Sequence, residues 1–142
     1  MSTNQELSGA NQEDFENKPQ DYWRSKLTNE QYLITRKGYT EKAFTGNYWE
    51  HKEIGIYHCI CCGEPLFSSS TKYDSGTGWP SFWDNIDSKG IIEKVDTSHG
   101  IFRREINCKK CECHLGHVFN DGPDPTGKRY CVNSASLKFS KK

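Results

Sequence analysis

Cys59-Ile60-Cys61-Cys62-Gly63 and Cys108-Lys109-Lys110-Cys111 each present two thiols at Cys-x-x-Cys spacing, which lets one tight turn aim both sulfurs at a single tetrahedral Zn²⁺. Two such turns close a shell of four thiolates, from Cys59, Cys62, Cys108 and Cys111. No position is left for water or substrate, so the ion expected is one structural zinc. The interval 64–107 is longer than in compact zinc modules, and the ion therefore clips together two distant parts of the chain. A redox dithiol is the other use of a Cys-x-x-Cys pair, but two matched pairs are hard to explain that way. The ligand register stays open at this point, because Cys61 and Cys113 could replace Cys62 and Cys111.

A clip of this kind suits the composition. The 142 residues fit one domain, yet hydrophobic residues make up only 33% of them, below the roughly 45–50% of an ordinary domain. Seven cysteines, set as two clusters and the isolated Cys131, read as a metal site plus reactive thiols and not as a secreted disulfide framework. A reducing, cytoplasmic setting follows. With 19 basic and 19 acidic residues the formal charge is zero, which is not the footprint of a nucleic-acid binder or of a protein drawn to anionic membranes. A small or neutral ligand fits better. Residues 1–20 are polar and more acidic than basic, as in a disordered tail, and resemble neither a signal nor a transit peptide. No apolar run is long enough to span a bilayer. Residues 21–142 are expected to form the single domain.

Working outward from the cysteine pairs, Tyr22, Trp23 and Leu27 recur at helical spacing, and Thr28 with Gln31 forms a capping box for a second short helix ending at Gly38. From Phe44 onward, short β-branched and aromatic runs alternate with Gly, Pro, Asn, Asp and Ser clusters. Strands are predicted over Ile54–Cys59, Ile91–Val95, Ile101–Asn107, Gly116–Phe119, Arg129–Asn133 and Ser136–Phe139. No connection is long enough for parallel crossovers, so the sheets should be antiparallel with the helices packed at one end.

A lone cysteine is ordinarily a small buried hydrophobe, but Cys131 has company. On a strand, Arg129, Cys131 and Asn133 share a face, where Arg129 would lower the thiol pKa and Asn133 could donate to the thiolate or to substrate. His114 and His117, in Cys113-His114-Leu115-Gly116-His117, titrate near neutrality and suit proton delivery better than ligation to a zinc site already filled. The loop Ser75-Gly76-Thr77-Gly78-Trp79-Pro80-Ser81-Phe82-Trp83 offers Trp79 to a pocket, while Phe82 and Trp83 are expected in the core.

Several ordered stretches resemble the methionine-R-sulfoxide reductase family: Tyr57-His58-Cys59 with Cys62 and Pro65-Leu66-Phe67, Lys72-Tyr73-Asp74-Ser75-Gly76, Gly78-Trp79-Pro80-Ser81-Phe82, Ser98-His99-Gly100, His114 through Phe119, and Asp121-Gly122-Pro123 onward. Tyr39-Thr40-Glu41 and Phe44-Thr45-Gly46 extend the likeness, which runs from Thr28 to Phe139. The resemblance implies a mostly-β, tent-like fold of two antiparallel sheets around the zinc, with short N-terminal helices. It also implies a monomer that reduces the R epimer of methionine sulfoxide in oxidised proteins or peptides, one enzyme serving each epimer. Cys131 would attack the sulfoxide sulfur and become a sulfenic acid, with His114 and His117 supporting protonation. Trp79 would hold the methyl group, Asn133 and Arg129 would order the pocket, and Phe119 would line it. Thioredoxin or a similar reductant would restore the thiol. In one place the chain departs from the family. Many members carry a resolving cysteine where this sequence has Thr77, which leaves Cys61 and Cys113 as internal candidates. The rival reading is a non-catalytic zinc-clipped β module that binds a small ligand or a protein.

Overall fold

The computed structural model describes residues 18–142. The tail expected over 1–20 falls outside them except for its last three positions, and Gln20 opens the first helix. Helix α1 (Gln20–Lys26) buries Trp23, and α2 (Asn29–Lys37) buries Tyr32, Ile34 and Thr35. The predicted capping box is present: Gln31 N–H donates to Thr28 Oγ1 at 3.1 Å, and Thr28 N–H to Gln31 Oε1 at 2.9 Å. Gly38 ends the helix at φ +79°, a conformation that glycine adopts without a Cβ clash. Among the described residues no helix is long and apolar enough to cross a membrane.

The strands are β1 (Gly55–Cys59), β2 (Pro65–Ser68), β3 (Lys72–Tyr73), β4 (Ser81–Phe82), β5 (Ile91–Asp96), β6 (Arg103–Cys108), β7 (His114–Phe119), β8 (Arg129–Val132) and β9 (Leu137–Lys141). They form a three-stranded sheet in the order β2-β1-β9 and a six-stranded sheet in the order β3-β4-β8-β7-β6-β5. Every pairing is antiparallel. All six predicted strands are present with shifted ends. β2, β3 and β4 were not legible in advance, because Pro65 and a serine-rich flank read as turn, and two-residue strands carry no alternation. The predicted run Arg129–Asn133 is one residue too long: Asn133 leaves the strand and caps a 3-10 turn over Ser134–Ser136.

Aromatic side chains join the two sheets. Phe67 of β2 stacks on Phe82 of β4, with centroids 4.4 Å apart and planes 14° from parallel, and Tyr57 of β1 meets Phe82 edge-on at 5.3 Å. All three are fully buried, which confirms Phe82 in the core; Trp83 is half-buried. The cysteine-bearing turns form the second junction. Residues 59–65 are the β1–β2 turn of the smaller sheet, and residues 108–114 are the β6–β7 turn of the larger one.

The two turns share one backbone design. Gly63 N–H donates to Cys59 O (2.9 Å) and Cys59 N–H to Glu64 O (2.8 Å). Glu112 N–H donates to Cys108 O (2.7 Å) and Cys108 N–H to Cys113 O (2.9 Å). In each turn the residue after the second cysteine is left-handed, Gly63 at φ +85° and Glu112 at φ +62°. A side chain in that region costs roughly 1–2 kcal/mol. Gly63→Ala, whose added methyl meets open space, should therefore lose about 1 kcal/mol in chemical denaturation from backbone strain alone. Glu112→Gly should gain a few tenths to about 1 kcal/mol. Unchanged stability in Gly63→Ala would show that the left-handed turn is not enforced.

Candidate active site and metal centre

A cavity of about 270 Å³ opens between one face of the β7–β8 pair and the loop that precedes β4. Cys131, Arg129, Asn133, His117, Phe119 and Trp79 all line it; His114 does not. A second cavity of about 300 Å³, against Trp49, His51, Lys72 and Asp74, contains no thiol. Cys131 lies in the six-stranded sheet, paired with His117 of β7 on one side and Ser81 of β4 on the other. Such opposed residues stand about 5 Å apart at Cβ on the same face, so the sheet itself sets imidazole beside thiol. A Cβ on the adjacent Gly116 would come within 1.9 Å of Cys131 O, which is why glycine is needed where β7 and β8 meet.

The expectation of an acidic thiol is corrected by the structure. Burial pushes the Cys131 thiol above its ordinary value, opposed by the Arg129 charge and by a hydrogen bond from Thr77. Desolvation wins because the Arg129 guanidinium is turned toward Asp121, with Nε to Oδ1 at 2.8 Å and Nη2 to Oδ2 at 3.1 Å. It also lies 4.3 Å over the Phe119 ring, which gives that side chain its place in the wall. Thr77 is thus a direct partner of the thiol. Its hydroxyl continues to Ser75 Oγ at 2.8 Å and on to Ser81 Oγ at 2.7 Å.

Each histidine is held by a carboxylate. His117 Nε2 is 2.8 Å from Asp96 Oδ2, and His114 Nδ1 is 2.7 Å from Glu105 Oε2. The rings stand 5.7 Å apart. Burial pulls the His117 pKa down against the opposing Asp96 hydrogen bond. The bond to His117 in turn holds the Asp96 carboxyl far below the usual range, and the bond to His114 lowers Glu105. Both describe an imidazole N–H donating to an ionised carboxylate, which fixes ring and tautomer.

Asn133 also differs from expectation. Its Nδ2 donates to Leu115 O at 3.1 Å, and its Oδ1 accepts from Glu41 N–H at 3.0 Å, so the amide ties backbone segments together and does not reach for the thiolate. Glu41 is the residue that sequence reasoning left without a role. Buried, with its pKa raised by desolvation, it receives Trp79 Nε1–H at its carbonyl (3.1 Å) and Ala135 N–H at Oε1 (3.0 Å). It positions both Trp79 and Asn133. An acidic residue beside Tyr39 and Thr40 reads as surface, and only its burial betrays it. Asp96 and Glu105 were likewise hidden among the strand-edge charges of β5 and β6.

Away from the cavity, the sulfurs of Cys59, Cys62, Cys108 and Cys111 all lie within 4.8 Å of one another, a donor set that could hold a metal ion. Cys59 Sγ is 3.5 Å from Cys111 Sγ, and Cys62 Sγ is 3.6 Å from Cys108 Sγ, close to the ~3.8 Å edge of a tetrahedron with 2.3 Å zinc–sulfur bonds. The alternative register takes a different form from the one expected. A second foursome, Cys59, Cys61, Cys111 and Cys113, satisfies the same limit, so Cys61 and Cys113 replace Cys62 and Cys108, not Cys62 and Cys111. Cys113 and Cys61 therefore sit in the cysteine cluster that could hold the ion. At about 3.3 Å per residue, Cys113 is roughly 13 Å along β7 from the position opposite Cys131, beyond the ~7 Å that a disulfide spans. A direct resolving disulfide from Cys131 to Cys113 or to its cluster neighbour Cys61 does not fit this geometry.

Two outcomes test this electrostatic picture. Iodoacetamide alkylation of Cys131, followed by peptide mapping, should titrate with a midpoint above 9, the ordinary cysteine value, and Arg129→Leu should move the midpoint higher still; a midpoint below that of free cysteine would contradict it. The Asp96 shift fixes a stability slope. Because its folded pKa is lowered, its contribution is whole above the ordinary value of 3.8 and is lost as pH falls toward the folded value. The stability difference between wild type and Asp96→Asn should thus shrink on acidification below pH 4, and a growing difference would refute the pairing.

Comparison with known proteins identifies the family of the chain. The SelR domain matches residues 27–141. The peptide methionine sulfoxide reductase MsrB of Hahella chejuensis is 62% identical over 117 residues, covering 82% of this chain and 84% of its own. That of Synechococcus sp. RCC307 is 63% identical over 120 residues, covering 84% and 88%. That of Pseudomonas aeruginosa PAO1 is 57% identical over 122 residues, covering 86% and 92%. With its cavity, its paired histidines and its two cysteine turns inside the matched span, the chain belongs to the SelR domain family, together with the peptide methionine sulfoxide reductases MsrB.

Proposed function

We propose that this chain reduces the R epimer of methionine sulfoxide in oxidised proteins and peptides, with Cys131 as the nucleophile. The observation that carries the reading is the thiol of Cys131 facing a methionine-sized cavity, with Trp79 in its wall and His117 directly across the sheet. The indole of Trp79 is held by Glu41, so its face is a fixed apolar surface against which the substrate methyl group packs. Cys131 sulfur attacks the sulfoxide sulfur; as the oxygen passes to Cys131, the substrate's sulfur–oxygen bond and the transient sulfur–sulfur bond both break. The substrate sulfur gains two electrons and leaves as the thioether. Cys131 loses two electrons and keeps the oxygen as a sulfenic acid, whose proton is that of the original thiol. His117, carrying its proton on the nitrogen bound to Asp96, offers its second ring nitrogen for transfers to and from the departing oxygen. His114, buried beneath it, acts as a positioning residue through Glu105.

Regeneration follows from what the cavity contains. Thr77, a threonine, can form no disulfide, and Cys61 and Cys113 are out of reach. An external dithiol of the thioredoxin class therefore attacks the sulfenic sulfur directly. The reductant thiol's proton passes by way of His117 to the hydroxyl, which leaves as water, and the second thiol of the reductant releases Cys131 from the mixed disulfide. Sulfoxide and two thiols give thioether, disulfide and water. One zinc held by Cys59, Cys62, Cys108 and Cys111 belongs to this reading; with four thiolate ligands it supplies stability to the fold and no chemistry to the cavity. A monomer in the cytoplasm completes the proposal, since seven unpaired cysteines suit a reducing compartment.

Dithiothreitol-driven turnover of the separate R and S epimers of an N-blocked methionine sulfoxide tests it. Wild type should turn over the R epimer alone, and Cys131→Ser should lose that turnover by at least about a thousandfold while keeping its fold and metal. S-epimer turnover, activity in Cys131→Ser, or no turnover by folded wild type would overturn the reading.

A further inference from the structure

We propose that the cysteine cluster at the junction of the sheets holds two thiophilic divalent cations, of the class of zinc or cadmium, with Cys59 and Cys111 bridging both. The two sets of four sulfurs that meet the 4.8 Å limit share those two residues, and two tetrahedra with two common corners share an edge. The shared edge, Cys59 Sγ to Cys111 Sγ, is 3.5 Å, and a thiolate sulfur has lone pairs enough to bind two ions at once. Each turn makes the same contribution. From the β1–β2 turn, Cys59 and Cys62 face one ion while Cys59 and Cys61 face the other. From the β6–β7 turn, Cys111 serves with Cys108 and then with Cys113. The left-handed residue Glu112 turns the chain so that Cys113 comes back to the cluster.

Charge does not oppose the second ion. One divalent cation on four thiolates leaves a net charge of −2 at the junction. Two divalent cations on six thiolates likewise sum to −2. The added ion therefore deepens no buried imbalance. That residual charge is met from the helices: Lys26 Nζ donates to Cys61 O at 2.7 Å, and Arg36 Nη1 donates to Cys111 O at 3.0 Å. Of the six cysteines only Cys62 is partly exposed, so water does not compete for the inner coordination positions. Under the one-ion arrangement, Cys61 and Cys113 are two idle thiols in a dry interior already shaped as a ligand set.

The test is metal content and metal–metal connectivity of the full chain, independent of turnover. Zinc-saturated wild type should hold two zinc ions per chain by elemental analysis and native mass spectrometry. After exchange with ¹¹³Cd it should give two cadmium resonances coupled to each other through the bridging sulfurs. Cys113→Ala and Cys61→Ser should each drop to one ion and lose the coupling while retaining reductase activity, because neither residue lines the cavity. One ion per chain in saturated wild type would overturn the proposal and leave the four-thiolate site of Cys59, Cys62, Cys108 and Cys111 intact. Two cadmium resonances without mutual coupling would overturn it as well. Should both variants fail to fold, the wild-type cadmium spectrum decides alone.

Discussion

The meeting of the β1–β2 turn with the β6–β7 turn is the constraint on which the rest of this molecule depends. Each sheet contributes one cysteine-bearing turn, and the sulfurs converge to within metal-binding distance. Another junction between the sheets is the aromatic layer of Tyr57, Phe67 and Phe82. In a chain with only 33% hydrophobic residues, that layer leaves little surplus of buried apolar area with which to fix the angle between the sheets. Bonds to a metal ion held by those sulfurs would do so with directional geometry. They would also anchor the start of β7, and β7 carries His114 and His117. The cysteine cluster thus bears on the cavity through a rigid strand, without sharing any atom with it.

At the cavity, burial and activation work against each other. The enclosure that suits Trp79 and Cys131 to an apolar thioether also raises the thiol pKa, and Arg129 offsets this only in part because Asp121 holds it aside. The protein answers with fixed polar partners: the Thr77 hydroxyl on the sulfur, and histidines whose protons are tied to Asp96 and Glu105. Glu41 anchors the opposite wall through the Trp79 indole, the Asn133 amide and the backbone at Ala135. Preorganisation of this kind takes the place of an intrinsically acidic thiol.

The sequence by itself determined the elements whose signals are local. The capping box of Thr28 and Gln31, the stop at Gly38, the six longer strands and the two Cys-x-x-Cys turns depend on hydrogen bonds within a few residues or on alternation along one strand. They were legible for that reason. Arg129 and Cys131 could be assigned a common face by the same period of two. Tertiary structure alone decided what distant segments do to one another. It ended β8 at Val132 and gave the Asn133 amide to the backbone. It exchanged Cys62 and Cys108, not Cys62 and Cys111, as the variable ligand pair, and it carried Cys113 away from Cys131. It also recruited Glu41, which packing buries, and Asp96 and Glu105, which it pairs with His117 and His114; all three look like surface charges until the fold brings their partners. Desolvation and pairing across sheets depend on which segments meet in space, and no window of sequence contains that information.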